Sequence, residues 1–215
     1  MHARSIPVLR SRLREGFIAD LQGLNDAIER TDLNGHYRVT GGMLLGWARE
    51  KDILSHDTLD ADFAVLDEDF HRLVSAVPVI TKAGFKCDRR FVNNDGDVTE
   101  LTFMRHGASF DFFRNFPAGG RLRYFLYGGT RNRPTEARAS VPAQKMVPFS
   151  FLDRTWLKHQ DHDLELRSIY DTWQIPDPSW SYLDAGNIEV RRTWYRSDFD
   201  WVGGAATLSS GPAVP

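Results

Sequence analysis

"LDADFAVL", residues 59–66, sets two aspartates into an otherwise apolar run. Side chains two apart on a strand point to the same face. Asp60 and Asp62 would therefore face one way, and Ala61, Phe63 and Val65 the other. Two carboxylates on one face repel each other and are costly to bury without a cation between them. Hard oxygen ligands suit Mg2+ or Mn2+, which commonly join protein carboxylates to substrate phosphates. As a strand, this stretch becomes the centre from which the rest of the fold is read.

Upstream, "YRVTGG" (residues 37–42) has strand character and ends in paired glycines, and "MLLGWARE" opens a short helix directly after them. Glycines between strand and helix allow a sharp turn and a close approach of backbone to a ligand. The free N–H groups of the following helix suit an anion such as phosphate. Gly41 and Gly42 are the candidate cradle, and Arg49 in the same helix is a candidate phosphate contact. Downstream, "ASFDFFRNF" (residues 108–116) places Asp111 between Phe110 and Phe112, so the acid faces away from the rings. If this strand lies beside residues 59–66, three carboxylates converge and can hold one or two metal ions. An acid beside an incoming hydroxyl can also serve as general base.

The remaining pattern is α+β. Leu9, Leu13, Phe17, Leu21, Leu24 and Ile28 recur at helical intervals. "DEDFHRLVSAV" (67–77) predicts a second helix with an acidic first turn. "FKCDRRFVN", "DVTELTFMRH", "ASFDFFRNF" and "RLRYFLYGG" predict successive strands separated by turn signals. From about residue 142 the pattern suggests helix, with Leu164, Leu166, Ile169, Tyr170 and Trp173 on the buried face of "DHDLELRSIYDTW". The expected organisation is one domain over residues 1–200, with 201–215 as a disordered tail.

With 215 residues, the chain is long enough for a sizeable core, and its one cysteine excludes an internal disulfide framework. A net charge of −2 gives no reason to expect a nucleic-acid partner. No stretch approaches the ~20 apolar residues of a membrane span. The N-terminus lacks the apolar core of a signal peptide, so the expected location is cytoplasmic.

The order of these motifs resembles the LicD/fukutin family of the nucleotidyltransferase-fold superfamily. Gly41, Gly42, Leu44, Leu45, Gly46 and Arg49 match its glycine-rich segment, Asp60 and Asp62 its metal-binding pair, and Asp111 its third carboxylate. "LELRSIYDTWQIPDP" (164–178) is similar to the family's closing segment through Leu166, Tyr170, Trp173 and Pro176. Met43 stands where threonine is usual, and "HDTLDAD" carries one residue more than the family's acidic loop, putting Asp57 off register. The resemblance implies a nucleotidyltransferase-type mixed sheet with flanking helices and a C-terminal helical segment. It also implies a Mg2+- or Mn2+-dependent transferase acting from a nucleotide-activated donor, a CDP-alcohol or a nucleoside triphosphate. The acceptor would be a hydroxyl of a sugar, glycan or small molecule. Asp60, Asp62 and Asp111 would hold metal, and Gly41, Gly42, Gly46, Arg49 and Arg131 would contact the donor. Two alternatives are a nucleotidyltransferase acting on a small metabolite or antibiotic intermediate, and a catalytically degenerate nucleotide-binding module.

Other candidates are weaker. Arg121, Arg123, Arg131 and Arg133 form a basic cluster suited to a diphosphate or an anionic acceptor, and Lys145 is comparable. His159 and His162, with Asp161 and Asp163, carry a His-x-x-His spacing, though a polar helix start explains them more simply. His56 lies near the acids without a motif to fix its role.

Overall fold

A computed structural model describes residues 5–55, 59–93, 95–130, 133–193 and 202–203. The chain begins with helix α1 (Ser5–Ile28), strand β1 (Tyr37–Val39), helix α2 (Gly41–Glu50), strand β2 (Asp60–Leu66) and helix α3 (Phe70–Lys82). Five strands follow: β3 (Lys86–Val92), β4 (Val98–Arg105), β5 (Ala108–Ala118), β6 (Arg121–Thr130) and β7 (Arg133–Pro142). The hairpin β8 (Met146–Phe151) and β9 (Arg154–His159), helix α4 (His162–Tyr170), strand β10 (Ile188–Thr193) and the two-residue β11 (Val202–Gly203) complete it.

The fold is α+β around a mixed sheet, as the pattern implied. β2 pairs antiparallel with β1 and parallel with β5, and β5 pairs antiparallel with β4. β3 continues the sheet beyond β4. The far end of β5 leaves this sheet and pairs with β6, which carries β7 and β10 in turn. Alternation decides the two faces. Ala61, Phe63, Val65, Phe110 and Phe112 are all buried, and α1 covers them with Phe17, Leu21 and Leu24. Phe63 stacks on Phe112 with centroids 4.8 Å apart. The acids alternate onto the other face. Among the described residues, no helix is long and apolar enough to cross a membrane.

The expectation of a helical C-terminal segment is corrected. Among the described residues beyond 142, α-helix is confined to the nine residues His162–Tyr170, and β8, β9 and β10 stand where helix was expected. The β8–β9 hairpin turns on Leu152 and Asp153, both at positive φ (51° and 56°). Two-residue hairpin turns of that geometry normally carry Asn-Gly or Asp-Gly, so "LD" gave no warning. Gln22 of α1 holds the turn by donating to the Leu152 carbonyl at 3.0 Å. On α4, Leu166 and Ile169 are buried, but Leu164 is 45% exposed, because the helix starts at residue 162 and turns that position outward. Of the predicted tail, Val202 and Gly203 pair with Arg90 and Arg89 of β3, and the rest lies outside the described residues.

A buried polar cluster joins these parts. Glu165 of α4, fully buried, accepts from Arg38 Nη1 of β1 at 2.6 Å and from Thr40 Oγ1 at 2.6 Å. His159 Nδ1 of β9 lies 2.7 Å from the other carboxylate oxygen. Arg38 also reaches Asn115 of β5 at 3.0 Å. Burial alone would raise the Glu165 carboxyl, but the Arg38 charge and the His159 and Thr40 hydrogen bonds outweigh it and lower it to about 2. Its stabilising contribution is therefore complete above about 4.5 and is lost as pH falls toward 2.

Replacing Glu165 with Gln leaves Arg38 buried without its counter-charge. Loss of one partner of a buried pair costs about 3–5 kcal/mol. Urea unfolding at pH 7 should show a loss of that order for E165Q, and the gap from the parent should shrink as pH approaches 2.

Candidate metal centre and cleft

The parallel register sets Asp62 opposite Asp111 and Asp60 opposite Ser109. Carboxylate oxygens of Asp60, Asp62 and Asp111 lie within 4.8 Å of one another. Among the described residues, no other group of three or more acids, histidines or cysteines converges in this way. Ser109 Oγ donates to Asp60 Oδ1. Asp111 Oδ1 is buried with no hydrogen-bond partner among the described residues. Burial, with the adjacent Asp60 charge, pushes Asp111 up to about 7 against the stabilising pull of Thr102 and Arg89. An orphaned buried oxygen beside two further carboxylates is a donor set that fits a hard divalent cation.

The glycine turn packs directly against an acid of the trio. Gly41 sits at φ +57°, and a Cβ on it would overlap the Asp62 carboxylate, lying 2.9 Å from its Cγ. Gly42 N–H donates to Asp62 Oδ2 at 3.4 Å. The start of α2 therefore positions an acid of the trio, and Gly42 spends its N–H on that acid. A Cβ on Gly46 would fall 2.6 Å from the Asp52 carbonyl, so this glycine lets residues 52–54 cross α2. Met43, in place of a hydroxyl residue, is buried in the core.

The trio lies in a cleft of about 940 Å³. One side is formed by Thr40, Gly41, Gly42 and Arg49 of the β1–α2 region, the floor by polar positions of β2–β5. Tyr170, Trp173, Trp180 and Tyr182 supply aromatic surface, and Tyr170 packs on Trp180 at 4.5 Å. Arg49 reaches the cleft with a buried, unpartnered Nε, while its terminal nitrogens contact Glu50 and the Trp173 carbonyl.

Two cleft residues were not anticipated. Glu100 of β4 is buried, accepts from Thr102 Oγ1 at 3.3 Å, and is pushed well above the usual carboxylate range by burial and then by the charges of Asp111 and Asp62. Arg89 of β3 lines the same floor. The available signal was alternation: Glu100 and Thr102 interleave with Leu101 and Phe103, the same polar-apolar pattern that marked Asp60 and Asp62.

The other candidates lie elsewhere. Arg121 is held by Ser140 and Arg123 by Glu189. Arg131, His56 and Asp57 lie outside the described residues, as does the side chain of Arg133. Lys145 is exposed and away from the cleft lining. His159 belongs to the Glu165 cluster, while His162 packs edge-on against Trp47 at 5.0 Å; Asp161 caps α4 and Asp163 pairs with Arg167.

Residues 34–117 match the family model described as LicD/FKTN/FKRP, nucleotidyltransferase domain. Over that segment the chain is similar to the LicD/fukutin family. The match spans β1 to β5 and contains the whole acid trio together with the α2 glycines. No curated relative matches the chain. The family is one of transferases, and the LicD segment here supplies the floor and the α2 side of the cleft.

Two outcomes test this geometry. Gly41→Ala combines left-handed strain with a clash against Asp62, so it should lower the melting temperature and disturb the trio. Asp111, raised in the folded state, contributes stability that is full below 3.8 and lost as pH rises through about 7. In metal-free buffer, D111N should gain melting temperature relative to the parent between pH 5 and pH 8; a constant difference would contradict the raised carboxyl.

Proposed function

We propose that the chain is a divalent-metal-dependent transferase. It would move a phospho-alcohol or a nucleotidyl group from a nucleotide-activated donor to a hydroxyl of a sugar or glycan. The observation that carries this reading is the convergence of Asp60, Asp62 and Asp111 with an unpartnered buried oxygen on Asp111. Asp60, Asp62 and Asp111 would hold Mg2+ or Mn2+. When bound, the metal supplies neutralisation of phosphate charge and Lewis-acid polarisation.

The protein's own groups take the remaining roles. The Thr40–Gly41–Gly42 turn lines the cleft beside Asp62, where a donor phosphate would lie against the start of α2. Arg49 offers its unpartnered Nε to donor phosphate. In the transfer, the acceptor oxygen forms a bond to phosphorus and the bond from phosphorus to the leaving phosphate breaks. A carboxylate of the trio beside the incoming hydroxyl is suited to take its proton. Nucleoside monophosphate leaves if a phospho-alcohol moves, and pyrophosphate leaves if a nucleotidyl group moves. The aromatic wall of Tyr170, Trp173 and Trp180 suits the flat apolar face of a sugar ring and so favours a glycan acceptor.

D60N and D62N conserve shape and remove charge. Each should retain the parent's circular dichroism spectrum and lose transfer by about a hundredfold or more, the scale on which removal of electrostatic stabilisation acts. Full activity in either variant would sink the assignment. Thermal shift with CTP, ATP, GTP and CDP-alcohols, with and without Mn2+, should show a metal-dependent rise for one donor class. A rise with nucleotide that does not depend on Mn2+, without turnover, would instead support a catalytically degenerate nucleotide-binding module.

A further inference from the structure

We propose that Arg89 is a phosphate-binding residue of the cleft, a second anion site on the opposite side of the acids from α2; this rests on the transferase reading above. Four residues form one cross-strand row. Arg89 of β3 pairs with Thr102 of β4, Thr102 with Asp111 of β5, and Asp111 with Asp62 of β2. Cross-strand partners share a face, so the row runs along the cleft floor from a cation to the carboxylates. At a strand spacing of about 4.8 Å, two steps separate the Arg89 backbone from that of Asp111 by ~10 Å.

Arg89 lacks the carboxylate partner that Arg38, Arg105 and Arg114 each have. Arg38 is paired with Glu165, Arg105 with Asp20, and Arg114 with Asp67. Arg89 Nε is buried with no hydrogen-bond partner, and among the described residues no carboxylate forms an ion pair with the guanidinium. Its charge is felt by Glu100 and Asp111, but it contacts neither within ion-pair distance. An arginine held this way offers a planar set of donors that matches phosphate bidentately. Arg49 already offers a cation on the α2 side, so the acids lie between two guanidinium poles. The phosphate has two chemical sources: the diphosphate of a nucleotide donor stretched across the acids, or a phosphate ester carried by the acceptor.

The test uses the full chain as parent, R89Q and R89K. Mn2+ binding is measured alone, and calorimetry in Mg2+ buffer then follows pyrophosphate and a hexose 6-phosphate separately. R89Q should weaken at least one phosphate ligand about tenfold or more, as expected for a lost hydrogen bond to a charged group. R89K should recover part of the loss. Mn2+ affinity of R89Q should be unchanged or higher, since a cation near the acids is gone. Loss confined to pyrophosphate identifies the donor as the source, and loss confined to the hexose phosphate identifies the acceptor. Unchanged phosphate affinity in R89Q, equal loss of Mn2+ and phosphate, or a parent that binds neither phosphate overturns the proposal. A parent that binds no Mn2+ but shows Arg89-dependent phosphate binding overturns the transferase reading and leaves the Arg89 site standing.

Discussion

Phe63 stacked on Phe112 locks β2 and β5 in parallel register on the apolar side of the sheet. Everything in the cleft follows from that lock. A slip of one residue would turn Asp62 into the core and Phe63 toward solvent. Phe63 also stacks on Trp156 at 5.9 Å, and Tyr37 packs against Phe63, Phe112 and Trp156. The apolar face therefore drives folding, while the opposite face of the same strands carries repelling carboxylates. The core holds the acids together against their own repulsion.

The Glu165 cluster does the complementary work from the other end of the chain. It ties α4 and β9 to β1 and to Thr40, the residue just before the α2 glycines. Thr40 N–H also donates to the Asp62 carbonyl at 3.1 Å, so the turn lies directly against the acid strand. That proximity leaves no space for a side chain at Gly41. A buried ion cluster contributes little net stability compared with apolar packing, but its geometry fixes one arrangement. Here the arrangement is the position of α2 relative to Asp62.

Much of this was legible in the sequence. The two-residue spacing of Asp60 and Asp62 and the Phe-Asp-Phe pattern around Asp111 announced which face each side chain would take. The periodicity of Phe17, Leu21, Leu24 and Ile28 announced α1, and all four are buried. The β8–β9 hairpin was hidden because its turn uses Leu152 and Asp153 at positive φ without glycine. Glu165 was hidden because a helix surface glutamate and a buried one look alike until Arg38, 127 residues away in the chain, arrives beside it. Arg89 and Glu100 were missed because alternation gives a residue's face but not which strands lie beside it.

The sequence by itself determined the local alternation, and with it the α+β class and the common face of Asp60 and Asp62, because side-chain direction on a strand depends only on residue parity. It could not determine which strands become neighbours, since pairing between residues about fifty positions apart is decided by the packing of the whole core. Only the tertiary structure made the glycines partners of Asp62, made Gly46 a packing residue, and brought an uncommitted arginine onto the same floor as the acids.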